Sequence, residues 1–447
     1  MSTALPRDAT VAVIGAGAMG CGIAQVAAQA GHPVRLFDTR IGAAEKGRAQ
    51  IGQTLGGLAA KGKLDPAEAE AAGARIVAVH ALGDCVSARL VVEAIIEDLG
   101  EKRTLLRELE KIVTPATILA SNTSSLSITA LSAGLKFPAR VVGMHFFNPV
   151  PLMQLVEVVS GLATSEATAE TVVATAAAWG KQPVRATSTP GFIVNRCARP
   201  FYGEALRLLA ERAADEATLD SLLREAGGFR MGAFELMDLI GNDVNFAVTR
   251  TVWEACYHDP RYAPSVLQQE RVAAGYFGRK SGRGFYDYAE GATRPPPATA
   301  AARPAPQRIA VRGDVGLARP LLERFTRAGI ASERLAMREG FPDGAFEIGE
   351  TVLALSDGRT ATAHAAATGA GNLVLFDLAL DYAACTRLAL ARADSCEPSA
   401  FDAAVGALQA AGIAVSPLDD VAGLVVLRTV AALANEAADA VTHGIAS

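Results

Sequence analysis

At 447 residues the chain exceeds one ordinary hydrophobic core, so two or three domains are expected, and a hydrophobic content of 50% is ample to build them. A formal charge of -5 and a pI near 5.8 exclude an overall electrostatic drive toward nucleic acid or an anionic membrane, leaving a small molecule as the default ligand. The six cysteines are scattered without C-x-x-C or zinc-type spacing, so reduced thiols and no metal site are expected. Arg7 and Asp8 stand where a signal peptide needs apolar residues, and no window approaches the roughly 18 apolar residues of a membrane span, so a cytoplasmic protein is expected.

In chain order, Thr10 to Ile14 predicts a buried strand, Met19 to Ala30 an alanine-rich helix closed by Gly31, and Val34 to Phe37 a second strand, together a βαβ unit. Between the first strand and the helix, Gly15-Ala16-Gly17-Ala18-Met19-Gly20 satisfies G-x-G-x-x-G. Gly15 permits the tight turn, Gly17 lets backbone approach a pyrophosphate, Gly20 lets the helix pack closely on the sheet, and the helix start offers free N–H groups to phosphate. Asp38, ending the second strand, is placed to accept ribose hydroxyls and to repel the extra phosphate of NADP, which favours NAD; Arg40 lies close to it, and the glycines alone also fit FAD.

Apolar runs at Ile76 to Val79, Leu90 to Ala94, Ile118 to Ser121 and Val141 to Met144 alternate with helical patterns such as Lys102 to Ile112. A Rossmann-type, doubly wound, mostly parallel α/β domain follows, over residues 1–188. After Thr189-Pro190-Gly191, helical patterns at Phe201 to Arg212 and Leu219 to Glu225 predict an all-α domain over 189–290. Residues 291–306, with Pro295-Pro296-Pro297 and Pro304 among alanines, read as a semi-rigid linker and the strongest domain boundary.

Beyond it, apolar runs at Ile309 to Val311, Thr351 to Leu355, Leu373 to Phe376 and Ile413 to Val415 predict a degenerate α/β region over 307–418, with no glycine-rich phosphate loop. Gly191 to Arg196 with Glu204-Ala205 reappears at equal spacing as Gly423 to Arg428 with Glu436-Ala437, so 419–447 reads as the start of a second helical copy in a truncated chain. Leu427 replaces Asn195 there, so a single active centre per chain is expected.

Two further segments carry chemistry. His145, within Met144 to Met153, is followed by Glu157 in the apolar stretch Leu155-Val156-Glu157-Val158-Val159, where an unpaired carboxylate is costly. A base with a carboxylate orienter points to redox chemistry on a hydroxyl group.

The series Gly15 to Ala24, Val92 to Ile95 with Glu97, Ser121 to Thr129, the His145 run, Gly191 to Arg196 and Met231 to Asn245 resembles the 3-hydroxyacyl-CoA dehydrogenases over about residues 8 to 288. Ala233 stands where that family usually has proline. The resemblance implies oxidation of a (3S)-3-hydroxyacyl-CoA to the 3-oxoacyl-CoA by NAD, with His145 as base, Glu157 as its partner, and Ser124 and Asn195 on the reacting oxygen. Ser124 also suits a loop cap.

By the same resemblance Glu97, Lys102, Asn148 and Lys280 contact the cofactor, and Thr54 and Lys61 the CoA substrate; Lys280 equally suits a solvated surface charge. The long layout is similar to bacterial enzymes of phenylacetate or short-chain acyl-CoA breakdown, implying 3-hydroxybutyryl-CoA or 3-hydroxyadipyl-CoA, β-oxidation-type fatty-acid or aromatic-acid catabolism and a homodimer. The alternatives are another β-hydroxyacid dehydrogenase, whose base is commonly lysine, and a non-catalytic, crystallin-like NAD-binding protein.

Overall fold

A computed structural model describes residues 3–337 and 341–447. The chain forms two compact units, residues 1–196 with 438–447, and residues 197–437.

The first unit holds strands β1 (Val11–Ile14), β2 (Val34–Phe37), β3 (Ile76–Val79), β4 (Leu90–Glu93), β5 (Ile118–Ser121), β6 (Val141–Phe146), β7 (Leu155–Ser160) and β8 (Gln182–Thr187), in the order β3-β2-β1-β4-β5-β6-β7-β8. All pairings are parallel except β6 with β7. Its helices are α1 (Ala18–Gln29), α2 (Ala43–Ala60), α3 (Pro66–Ala74), α4 (Leu99–Ile112), α5 (Ile128–Ser132), α6 (Glu166–Ala178) and α7 (Val194–Cys197).

Both faces of this sheet are covered, which is why its strands are continuously apolar rather than alternating. Val11, Val13, Leu36, Leu90 and Val92 enter one core, and Ala12, Ile14, Phe37 and Val91 the other. The expected doubly wound Rossmann architecture is therefore present. Side-chain caps end the helices where backbone N–H groups are orphaned: Asp65 begins α3 by accepting from Ala67 and Glu68, and Asp98 begins α4 by accepting from Glu101.

The second unit opens with helices α8 (Arg199–Ala210), α9 (Glu216–Glu225), α10 (Ala233–Ile240), α11 (Asn242–Ala255) and α12 (Val266–Ala273), as the sequence predicts. A second sheet follows from β9 (Arg308–Arg312), β10 (Ala331–Leu335), β11 (Ala345–Ile348), β12 (Thr351–Leu355), β13 (Leu373–Phe376), β14 (Arg387–Arg392) and β15 (Ala414–Pro417), ordered β10-β9-β11-β12-β13-β14-β15. Helices α13 (Arg319–Arg327), α14 (Ala361–Thr368) and α15 (Pro398–Ala410) lie between its strands, and α16 (Val426–Thr442) ends the fold. Strands β10, β11 and β14 escape the sequence pattern: β10 is an exposed, polar edge, and β11 runs antiparallel to both neighbours through a short turn into β12.

The proline-rich stretch lies within the second unit and is hydrogen-bonded to its elements. Ala298 donates to Thr218 Oγ1 (2.8 Å), Ala300 to the Val415 carbonyl (2.8 Å) and Arg303 to Gln409 Oε1 (2.8 Å). Its extended backbone keeps its polar groups available and spends them on these bonds within the second unit.

Candidate active site

Gly15 has φ +104°, and a Cβ there would lie 2.5 Å from the Ala94 carbonyl oxygen. A Cβ on Gly20 would overlap the Gly15 carbonyl, whereas one on Gly17 would meet nothing within 4 Å. The two outer glycines thus close the turn, and Gly17 faces open space at the start of α1, which carries no side-chain cap. Partly buried Met19 lies in the first turn of that helix. Free N–H groups and an unobstructed approach are what a pyrophosphate requires.

Asp38 accepts from the Ala16 N–H (2.8 Å), and Arg40 spans both its oxygens at 3.0 and 3.1 Å. The Arg40 hydrogen bonds, outweighing burial, hold the Asp38 pKa down at about 2. A groove of about 780 Å³ runs from Gly17 past Arg40 and along α2 to the exposed Thr54. Lys61 is exposed at the end of α2.

The acid–base pair arises from register. His145 on β6 and Glu157 on β7 are direct antiparallel partners, which places both side chains on one face, with Nδ1 2.5 Å from Oε2. Both are buried, and the imidazole packs beside Phe147 and Phe192 with ring centroids at 4.5 and 5.8 Å. Glu157 Oε1 accepts from the Ile193 and Val194 N–H groups at 2.9 and 2.8 Å, where α7 begins. The backbone enters that helix through positive φ at Gly191 (76°) and Phe192 (50°). One carboxylate therefore ties the imidazole to the helix that carries Asn195.

Asn195 Nδ2 donates to the Ser124 carbonyl (3.3 Å), and the Ser124 N–H donates to Glu97 Oε1 (2.9 Å). His145, Glu157, Ser124, Asn195, Glu97, the glycine turn and Asp38 all belong to the first unit. Asn148, after β6, is exposed.

Lys102 departs from the expected direct cofactor contact. It is 1% exposed, with its ammonium on both Glu93 oxygens (2.8 and 3.0 Å) and 3.4 Å from Glu97. Because α4 buries Lys102, Leu105, Leu106 and Leu109 as one stripe, the lysine stem is core, and its charge is met by the acid ending β4. Lys280 lies in the second unit, paired with Asp243 at 2.6 Å.

Glu93, Asn122 and Thr123 lie in the motifs that carry the resemblance, but sequence reading gave them no role. Asn122 Oδ1 accepts from the Phe146 N–H (2.9 Å), steadying the residue after His145, and Thr123 Oγ1 donates to Glu97 (2.6 Å). The available signal was Glu93 itself, an acid in a buried apolar strand that needs a partner.

Residues 10–189 match the family model for the 3-hydroxyacyl-CoA dehydrogenase NAD binding domain, and 191–288 match that for the 3-hydroxyacyl-CoA dehydrogenase C-terminal domain. The chain is 41% identical over 438 residues to 3-hydroxyadipyl-CoA dehydrogenase of Escherichia coli strain K12, covering 98% of this chain and 85% of the relative. The chain belongs to the 3-hydroxyacyl-CoA dehydrogenase family.

Two solved structures extend the comparison. The 3-hydroxybutyryl-CoA dehydrogenase of Escherichia coli K12 superposes with a TM-score of 0.87 at 40% identity, over 98% of this chain and 86% of that one. The (S)-3-hydroxybutyryl-CoA dehydrogenase of Ralstonia eutropha matches 63% of this chain and 99% of its own, with a TM-score of 0.61 and 41% identity. This dehydrogenase thus uses NAD, and the shorter relative corresponds to its N-terminal part. Residues 353–421 match the 3-hydroxybutyryl-CoA dehydrogenase reduced Rossmann-fold domain.

That reduced domain repeats the dehydrogenase joint without its chemistry. Gly423 and Leu424 have φ 74° and 52°, reproducing Gly191 and Phe192, and α16 begins at the valine corresponding to Val194. Asp377 accepts from the Val425, Val426 and Leu427 N–H groups at 2.9, 2.7 and 3.0 Å. Its own N–H donates to Ala389, whose register partner Ser416 precedes Gly423 by the same interval at which Glu157's partner Val184 precedes Gly191. Asp377 therefore stands at the position of His145 and Ala389 at that of Glu157. One acid keeps the helix attached after base, orienter and Asn195 have been replaced.

Burial raises the Asp377 pKa to about 6, against the pull of the N–H donors. A folded pKa above the unfolded value means that protonation favours folding, so this stability contribution is complete below pH ~4 and lost as pH rises through ~6. The thermal-unfolding difference between the unsubstituted protein and Asp377→Asn is expected to shrink between pH 4.5 and 7, by up to about 3 kcal/mol. A constant difference over that range contradicts the assignment.

Proposed function

We propose that this dehydrogenase oxidises short-chain (3S)-3-hydroxyacyl-CoA thioesters, 3-hydroxybutyryl-CoA or 3-hydroxyadipyl-CoA, to 3-oxoacyl-CoA, with His145 as the base. The observation that carries the reading is the buried His145–Glu157 pair, whose carboxylate also anchors the Asn195 helix. NAD, when bound, supplies the hydride acceptor. Glu157 holds Nδ1, which leaves Nε2 to take the hydroxyl proton as the C3 hydride departs, and the carboxylate then stabilises the imidazolium. Ser124 and Asn195 orient the substrate oxygen, so that the C–H bond is aligned when the proton leaves.

In the binding of the two ligands, the glycine turn and Asp38 take the coenzyme pyrophosphate and ribose, with Met19 and Asn148 beside them. Thr54 and Lys61 on α2 meet the CoA portion. A relative 41% identical over 98% of this chain is named for a substrate with a distal carboxylate, which supports 3-hydroxyadipyl-CoA and a place in aromatic-acid or fatty-acid breakdown. Exposed Leu239, Ile240, Val244, Tyr257 and Val266 on and around α10 to α12 support a homodimer, and sedimentation at micromolar concentration as a monomer refutes it. Among the described residues no helix is long and apolar enough to cross a membrane.

The test follows NADH absorbance with a panel of (3S)-3-hydroxyacyl-CoA esters of increasing chain length, with and without a terminal carboxylate. Turnover confined to the short esters is expected; none with any ester overturns the reading.

Coenzyme choice gives a second expectation. In Asp38→Ser the Arg40 guanidinium loses its carboxylate and becomes available to a 2′-phosphate, so kcat/KM with NADP rises by about tenfold or more. Adding Arg40→Ala abolishes that gain. An equal gain in the double variant means that removal of repulsion alone sets the preference.

A further inference from the structure

Glu97 is aimed at the Ser124 turn. Its Oε1 accepts from Thr123 Oγ1 (2.6 Å), the Ser124 N–H (2.9 Å), the Ser125 N–H (3.1 Å) and Ser125 Oγ (3.0 Å). Its Oε2 lies 3.4 Å from Lys102 Nζ, which in turn holds Glu93. Glu93 also accepts from Ser121 Oγ at the end of β5, and Ser121 Oγ accepts from the Thr123 N–H (3.1 Å). A buried lysine between two carboxylates therefore connects β4, α4 and the loop after β5, and this connection ends on the backbone of Ser124.

We propose that Glu97 is a positioning residue for Ser124, acting on the acyl substrate's oxygen through this turn. The proposal rests on the role given to Ser124 above. Ser124 is held from both sides, its N–H by Glu97 and its carbonyl by Asn195. Among the described residues its hydroxyl has no protein hydrogen-bond partner in the structure, which leaves that group for the substrate.

The geometry explains why the loop needs such a brace. Thr123, Ser124 and Ser125 precede α5, whose own cap is Ser127, so their backbone donors lie outside any helix or ladder. In an unbraced Ser/Thr-rich turn these side chains satisfy their own backbone in several competing ways. An acceptor fixed by an ion pair to the sheet selects one arrangement. A displacement of about 1 Å in a positioned group costs on the order of 10²-fold in rate.

The experiment is a double-variant cycle read by acyl-CoA kinetics and by NADH fluorescence binding. Glu97→Ala is expected to lower kcat for the acyl substrate by about 10- to 100-fold while NADH affinity changes less than about threefold. In a Ser124→Ala background the same substitution adds less than about twofold, because the hydroxyl it positions is gone. Glu97→Gln, which keeps one carbonyl oxygen for the turn, recovers most of the lost kcat and guards against misfolding of the alanine variant.

Multiplicative losses in the double variant, or a loss of NADH affinity equal to the loss of rate, overturn the proposal and assign Glu97 to the coenzyme. Failure of the parent reading looks different: the unsubstituted protein forms no NADH from any 3-hydroxyacyl-CoA.

Discussion

His145→Ala is expected to lower kcat for NADH formation by about 10³-fold, with NADH affinity nearly unchanged. An alcohol releases hydride readily only as its proton departs, and general-base catalysis of this kind contributes about 10² to 10⁴. Water is a poor substitute at this position, since His145 is only 3% exposed and flanked by Phe147 and Phe192. His145→Gln, closer in volume, is expected to lose as much rate while unfolding at nearly the same temperature, which separates the missing base from a cavity. Single-turnover rates within threefold of the unsubstituted enzyme for either variant mean that the base is another group.

The second large effect falls on Glu157, where stability and catalysis divide. In Glu157→Ala the imidazole loses its orienter and the Ile193 and Val194 N–H groups lose their acceptor, so kcat drops by about 10²- to 10⁴-fold and unfolding free energy by about 3 to 5 kcal/mol. In Glu157→Gln one oxygen remains, and two groups compete for it. Bonding the amide oxygen to the helix N–H groups preserves much of the stability, but the amide nitrogen then faces Nδ1 and favours the wrong tautomer. Near-normal unfolding with kcat reduced about 10²-fold or more is the expected result for glutamine, measured by calorimetry and NADH formation on the same preparation. Equal loss of both properties in the two variants shows that the carboxylate acts on the fold alone.

Why these two residues were readable and others were not follows from how each is specified. Glu157 sits between valines, where a buried carboxylate demands a partner, and His145 lies in a motif-rich strand; both signals are local. The glycine turn is equally local, because Gly15 and Gly20 answer to close backbone approaches that a Cβ obstructs, and Gly17 leaves the helix start open. Lys102 was legible only as a cation in a helix. That its stem lies in a core stripe and its charge between Glu93 and Glu97 depends on how α4 packs against the end of β4.

The reduced domain shows the same division. Repetition of the Gly191 to Arg196 segment was visible along the chain, as was the loss of Asn195 to Leu427. That Asp377 replaces the histidine, rather than the glutamate whose bonds it takes over, depends on strand register, which no spacing along the chain specifies. The polar edge strand β10 and the antiparallel β11 were hidden for a related reason: their residues answer to neighbours across the sheet more than to a periodic pattern.

By itself the sequence determined the elements whose causes are local: the strand–turn–helix opening, the acid ending the second strand, the helical stretch after Gly191, and the residue types of the acid–base pair. Only the tertiary structure decided which carboxylate oxygen meets which N–H, that the proline-rich stretch binds to the second unit, and that Glu97 turns toward Ser124. Hydrogen bonds act over about 3 Å between residues far apart in the chain, and their partners exist as neighbours only after the sheet has set its register.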